Sequence, residues 1–421
     1  MTLRFVLIAF FALACGPLLA GSPMVRPTFP MPTAPPMAFY VAKGAPDSCG
    51  RGCDSWIAVE GQIDSGAAAR FWKFLQRNRA RNLPLYFYSP GGNLEQALTM
   101  GTMLRQSPMV ARVGRTVVTE CGFEAQDSDV CVKLKQSGRE LHGDLVTRNA
   151  MCNSACPYLI LGASVREIAP DAVLAVHTPK VMLTYHGEAP PESMRAVARA
   201  RGLERANNLV ARYLSKMDVA PGLLDVAKTV PFEGLHLLTR DELDRFRIDS
   251  RRLAETAWTF EQAARPFVRK FALVRKPDGA SFRTMEWRLF CDNMGAQVMF
   301  IREMDKAATG PDSVTLMAGS EKPVAFGSYP ARLGKYEAWN GRITTTALNT
   351  VLLAPQLQIT LGTTLLDGRV EQDRFDMDTA GLHATWTRLS ENCPKAADRP
   401  SPVVSGPAQP VSRFPAPLPP P

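Results

Sequence analysis

The chain has 421 residues, 46% of them hydrophobic and 21% charged, which is ample material for more than one packed core and excludes a wholly disordered polymer. Its formal charge of +9 comes from 49 Lys and Arg against 40 Asp and Glu, spread along the chain. No dense basic block with interleaved aromatics occurs, so nucleic acid is not an expected partner.

Residues 1–20 read as a signal peptide. Arg4 is the only charge, Phe5 to Ala14 is an apolar run, and Leu18-Leu19-Ala20 offers a cleavage site before Gly21. The run is too short to span a bilayer comfortably. Lipoprotein anchoring through Cys15 is the rival, but Ala12-Leu13-Ala14 lacks the usual apolar residue three before the cysteine. No later segment is long and apolar enough to cross a membrane, so the mature chain is expected without a transmembrane helix, periplasmic or secreted. Eight further cysteines, an even number, suit disulfide bonds in such a compartment, with the pairing left open. Residues 21–37 are a Pro-rich linker. Residues 394–421 are a Pro-rich tail expected to be disordered or extended.

Residues 38–250 alternate strand and helix signals. Trp56-Ile57-Ala58-Val59 is a short apolar run, and Ala68, Phe71, Phe74 and Leu75 then recur at helical spacing. Leu83 to Tyr88 is a second strand, followed by a helix marked by Leu94, Ala97, Leu98, Gly101 and Leu104. Val117-Val118 suggests a third strand. Ala155 to Leu161 is apolar all round and predicts a buried helix. Val173 to Val176 is a fourth strand, and a long helix follows from Glu192 to about Met217, with Met194, Val197, Leu203, Ala206, Leu209, Val210, Tyr213 and Leu214 as its packed face. This alternation predicts an α/β domain with a mainly parallel sheet.

Residues 251–393 have another texture. Phe271 to Val274, Trp287 to Leu289, Val298 to Ile301, Val314 to Leu316, Ile343 to Thr346, Val351 to Leu353 and Leu357 to Leu361 are strand-like runs separated by turn-forming residues. They predict a mostly antiparallel β domain, closed by a helix from Thr379 to Leu389 that a Cys291–Cys393 bond could pin to the sheet. Trp258, Trp287, Trp339 and Trp386 read as core.

Three segments carry chemistry. Ser89-Pro90-Gly91-Gly92-Asn93 stands at a strand-to-helix junction, where paired glycines let backbone N–H groups approach an anion. In Cys152-Asn153-Ser154-Ala155-Cys156-Pro157, Ser154 precedes the buried helix; taken alone, an N-cap is the ordinary role of such a serine. His177 ends the strand Val173 to Val176, at the edge where α/β active sites gather, and its imidazole could accept a serine proton. The remaining histidines show no metal-ligand spacing, and no phosphate-binding loop occurs, so neither a metal nor a cofactor is expected.

In combination these segments resemble the Clp protease proteolytic subunit, within the crotonase-like superfamily. The resemblance covers about 200 residues in order. Val59-Glu60-Gly61-Gln62-Ile63 is similar to the family's opening strand, Ser89-Pro90-Gly91-Gly92 to its oxyanion loop, and Ser154-Ala155 to its nucleophile at a buried helix. Val176-His177-Thr178-Pro179 resembles the segment of its catalytic histidine, and Leu238 to Leu243 with Arg247-Ile248-Asp249 its late segment. The resemblance implies a Clp/crotonase-like fold and a serine hydrolase acting on a peptide or protein substrate. Ser154 would be the nucleophile and His177 the base, with N–H groups near Gly91, Gly92 and Ala155 as oxyanion hole. Homo-oligomers are compatible with it.

The chain departs from that pattern in three places. The third triad member does not align; Glu233 and Asp225 are the candidates, with Glu233 taken as the catalytic acid. Residues 119–150 are an insertion that Cys121 and Cys131 could staple into a flap over the site. Cys152 and Cys156 flank the nucleophile and, if oxidised, would fix its loop. Two other readings stand beside the hydrolase. One is a non-catalytic envelope-binding scaffold. The other is an acyl-transfer enzyme, against which the absence of a coenzyme A phosphate site counts.

Overall fold

The computed structural model describes residues 34–393, except 79–80, 186, 277–278, 280, 294, 305–312, 319–323, 326–329, 365–366 and 392. The expected signal peptide, most of the expected linker and the Pro-rich tail therefore lie outside the described residues. The last linker residues belong to the fold: Met37 N–H donates to the Gln62 carbonyl (2.8 Å), and the Pro35 carbonyl accepts from Gln62 N–H (2.8 Å).

The first part runs β1 (Ala38–Lys43), β2 (Ser55–Glu60), α1 (Ala67–Asn78), β3 (Leu85–Tyr88), α2 (Leu94–Arg105), β4 (Val110–Val113) and β5 (Arg115–Val118). It continues α3 (Asp129–Lys135), β6 (Leu141–Val146), β7 (Met151–Asn153), α4 (Cys156–Ile160), β8 (Val165–Glu167), β9 (Val173–Val176), α5 (Glu192–Lys216), α6 (Gly222–Thr229), β10 (His236–Leu237) and α7 (Arg240–Arg245). Seven strands form a sheet in the order β5-β6-β1-β2-β3-β4-β8. β1 pairs antiparallel with β2, as β5 does with β6; the other neighbours are parallel. A second, three-stranded sheet has the order β10-β9-β7, with β7 and β9 parallel.

The period of two along a strand gives the large sheet two apolar faces. Phe39, Ile57, Val59, Leu85 and Phe87 face a core shared with α1, α2 and α4. Their alternates Tyr40, Trp56, Ala58 and Tyr86 face a second, smaller core. Within residues 119–150, the stretch that carries Cys121 and Cys131 covers that second face, while Leu141, on β6 of the sheet itself, belongs to the same core. That stretch is therefore a back cover of the sheet and not the expected flap over the site. Its anchor is a buried polar network. Lys135 Nζ donates to Glu60 Oε2 (2.9 Å), Tyr40 OH donates to the same oxygen (2.8 Å), and Glu60 Oε1 accepts from Thr116 N–H (2.6 Å).

Helix α5 packs over only part of its expected face. Val210, Tyr213 and Leu214 are buried, whereas Met194 and Val197 in its first turns are exposed.

The second part is β11 (Leu253–Glu255), β12 (Thr259–Glu261), β13 (Phe267–Arg275), β14 (Phe282–Asp292), β15 (Gly295–Glu303), β16 (Ser313–Ala318), β17 (Val324–Ala325), β18 (Ala331–Leu333) and β19 (Tyr336–Arg342). It ends with α8 (Thr345–Leu353), β20 (Gln356–Thr364), β21 (Val370–Asp378) and α9 (Leu382–Ser390). One sheet has the order β11-β13-β14-β15-β19-β18, with β12 also on β13; the other is β17-β16-β20-β21. All of these pairings are antiparallel. Trp258, Trp287, Trp339 and Trp386 lie in the core between them. The strand-like runs at Ile343 to Thr346 and Val351 to Leu353 correspond instead to α8 and its approach. Thr344 caps that helix by accepting from Ala347 N–H (3.2 Å), and Leu348 and Val351, three apart, share its buried side.

Disulfides join Cys49–Cys53, Cys121–Cys131, Cys152–Cys156 and Cys291–Cys393. The last one does tie the end of α9 to β14.

Candidate active site

Two parallel strands carry the centre of the site. The β7–β9 register sets Met151 against Val173, Cys152 against Leu174 and Asn153 against Ala175. The next residue on one strand is Ser154, and His177 directly follows the other, so both emerge at the same sheet end. Ser154 N–H donates to the Ala175 carbonyl (2.8 Å), fixing the turn before α4. At this turn Ser154 has a φ of 61°, a left-handed conformation that side chains other than glycine rarely adopt. The Cys152–Cys156 bond brackets it, with both sulfurs' residues buried. The outcome is a 2.6 Å contact between Ser154 Oγ and His177 Nε2.

The Pro-Gly-Gly turn wraps the serine. Asn153 N–H donates to the Ser89 carbonyl (3.0 Å) and Ser89 N–H to the Met151 carbonyl (2.8 Å), joining β7 to the end of β3. Gly91 has a φ of 101°, and a Cβ there would sit 2.6 Å from both the Asn153 carbonyl oxygen and Ser154 Cβ. Only glycine fits this approach. The neighbouring Gly92 is held by Ile63, which donates to the Gly91 carbonyl (2.8 Å) and accepts from Asn93 N–H (2.7 Å). Among the described residues, no hydrogen bond uses the N–H of Gly92 or of Ala155. Both residues line the cleft that holds Ser154 and His177.

His177 is buried, with its ring tilted against Phe232 at a centroid distance of 5.0 Å. Thr178 anchors the following segment, its N–H donating to the Val230 carbonyl (2.9 Å) and its hydroxyl to the Ala227 carbonyl (3.1 Å). Burial lowers the imidazole pKa below its ordinary value, against the Phe232 carbonyl and the Glu233 carboxylate, which both favour the protonated ring. The Phe232 carbonyl nevertheless falls short of hydrogen-bond geometry, and His177 Nδ1 has no partner among the described residues.

The expected catalytic acid is not joined to the pair. Glu233 is exposed and acts on His177 through its charge, without a hydrogen bond to Nδ1. The side chain of Asp225 is mostly exposed and lies 3.8 Å from Lys228 Nζ. Position in the chain could not establish either as partner, because the 225–233 segment folds around His177 as a helix end and loop. Sequence reading also missed two supports. Phe232 packs on the imidazole, and Tyr213 on α5 donates to the Tyr158 carbonyl (2.7 Å) of α4. Both are long-range contacts with no local signature.

The cleft has a volume of about 1000 Å³ and runs between α2, α4, α5 and the segment after His177. Among the described residues, no group of three or more His, Cys, Asp or Glu side chains could hold a metal ion. No helix there is long and apolar enough to cross a membrane.

No family model matches the chain, and no curated protein matches it. Two of the solved structures that match it show limited likeness. A membrane-bound stomatin-specific protease mutant is 15% identical with a TM-score of 0.26, covering 45% of this chain and 73% of that one. An invasion-associated protein B from Bartonella henselae is 10% identical, also with a TM-score of 0.26, covering 32% of this chain and 92% of that one.

Proposed function

We propose that this chain is an exported serine hydrolase of peptidase type on a Clp/crotonase-like scaffold. The 2.6 Å contact between Ser154 Oγ and His177 Nε2 carries the reading. Its geometry suits proton transfer from hydroxyl to imidazole. Burial favours the neutral ring that a base requires. Ser154 Oγ attacks the substrate carbonyl carbon while His177 Nε2 takes its proton. The N–H groups of Gly92 and Ala155, beside Gly91, receive the developing oxyanion. The imidazolium then protonates the leaving amine as the carbon–nitrogen bond breaks. Water, deprotonated by His177, releases the acyl group and restores Ser154. Glu233 contributes by its charge at a distance. Four disulfides, together with the N-terminal apolar run, support periplasmic or secreted export.

A fluorophosphonate probe tests this reading: it should label the wild-type chain and fail on Ser154→Ala. Labelling that persists in the variant removes Ser154 from its role. One observation favours a second reading, a non-catalytic scaffold: the unpartnered Nδ1 leaves the imidazole without an orienting acceptor. Complete absence of labelling in the disulfide-bonded, folded protein selects that reading.

A further inference from the structure

We propose that the cleft selects acidic peptides, with Arg201 and Arg205 as the residues that set this preference. The inference rests on the hydrolase reading and extends it to substrate class. The cleft wall contains four cations, Lys180, Arg201, Arg205 and Lys228, the last near Asp225 (3.8 Å), against a single lining carboxylate, Glu95. Arg201 and Arg205 lie four residues apart on α5, hence on one side of it. The acid in the first turn of that helix is already engaged, since Glu192 pairs with Arg195 (2.7 Å) and with Arg199. Among the described residues, neither Arg201 nor Arg205 has a carboxylate within ion-pair distance. Lys180 Nζ sits 5.2 Å from the centre of the Phe232 ring, the ring that packs on His177. Between the cations the wall is apolar, with Leu94, Leu98, Leu209 and Leu224.

A partly apolar wall with an excess of one sign of charge concentrates ligands of the other sign and disfavours ligands of its own. Guanidinium groups add paired donors that match a carboxylate. The expected occupant is therefore an extended segment with apolar side chains near the scissile bond and Asp or Glu beside them. The chain's own C-terminal stretch is of the wrong sign, carrying Lys395, Arg399 and Arg413 against Asp398.

The test uses the full-length Ser154→Ala protein, which binds without turnover. Fluorescein-labelled peptide pools with randomised apolar cores are flanked by Glu, Gln or Lys and titrated by anisotropy. The Glu-flanked pool should bind at least about tenfold tighter than the Lys-flanked one at low salt, and the gap should shrink at high salt. Adding Arg201→Ser and Arg205→Ser should abolish the gap, with a melting curve to verify folding. Equal binding, preference for Lys, binding by no pool, or a gap that survives the arginine changes overturns the proposal. So does capture by vesicles of anionic lipid without discrimination among peptides, which would assign the cations to a membrane surface. Fluorophosphonate labelling of the wild type separates the two readings. Labelling without acidic preference sinks only the specificity, and acidic preference without labelling sinks only the catalysis.

Discussion

Ser154 occupies a backbone conformation that costs an L-residue about 1–2 kcal/mol, and the hydrogen bond to Ala175 with the Cys152–Cys156 bracket holds it there. Glycine carries no such cost. Ser154→Gly should therefore be more stable than Ser154→Ala by about 1 kcal/mol in chemical denaturation, although Gly loses more chain entropy on folding. For the proposed hydrolysis, either change should lower the rate by at least about 10⁴-fold, as loss of a nucleophile does elsewhere. His177 supplies a second prediction. The neutral imidazole is the reactive form, so reactivity falls as pH drops through its pKa. Burial lowers that pKa, and the acid limb of probe inactivation should lie below the usual histidine value. Glu233 favours the protonated ring, so Glu233→Gln should move the limb still lower. A limb that stays fixed would show that Glu233 does not act on His177. Alone, a serine before an apolar helix reads as an N-cap, and only its ordered combination with Ser89 to Asn93 and His177 suggested a site. An acid to orient His177 was not legible, because an orienting partner is defined by distance in space.

At the scale of elements, legibility followed locality. β9, α4 and α5 showed themselves by continuous apolar runs or helical spacing. The insertion's placement depended on which sheet face its cysteines and Leu141 reach, which β1 and β2 alternate to offer but do not assign. The α8 segment misled for a related reason, since a short apolar run fits strand or helix until its Thr344 cap is recognised. The late segment Leu238 to Asp249 has a physical role in the fold. α7 opens with a capping box between Thr239 and Glu242, and beyond it Asp249 is buried between Arg240 (2.8 Å) and Arg251 (2.6 Å) while accepting from Ile168 N–H (2.8 Å). Burial raises the carboxyl pKa, but hydrogen bonds and charge from the two arginines outweigh it and hold the group well below the carboxylate range. A depressed native pKa contributes stability above the unfolded value, near 3.9, and this contribution is lost as pH falls below it. Asp249→Asn should cost about 3–5 kcal/mol, because it leaves Arg240 buried without its counter-charge. Urea midpoints at neutral pH and at pH about 3 test both statements: the gap between wild type and variant should narrow on acidification.

For the whole molecule, the apolar clusters divide cleanly: those of the first part include no residue beyond Ile248, and that of the second begins at Trp258. What crosses between them includes polar contacts. Asp244 pairs with Arg275, Arg51 with Asp378 (2.9 Å) and Arg148 with Glu261 (2.8 Å). Arg51–Asp378 is an exposed pair of the kind that contributes at most about 1 kcal/mol, and the other two are partly buried. Each disulfide also stays within one part. The ion pairs across this division had no sequence signature. Cys291–Cys393 spans 102 residues of the β-rich part, and closing so long a loop stabilises by up to about 5 kcal/mol in the chain-entropy model. Cys393→Ser should therefore destabilise the β-rich part by about 2–5 kcal/mol, read from tryptophan fluorescence, since Trp258, Trp287, Trp339 and Trp386 all lie in its core. Ser154, more than a hundred residues away and held by its own disulfide, should keep its fluorophosphonate labelling at temperatures where that fluorescence has already changed. Loss of labelling in step with the fluorescence would mean that the two parts unfold as one unit and that the contacts between them are far stronger than exposed ion pairs allow.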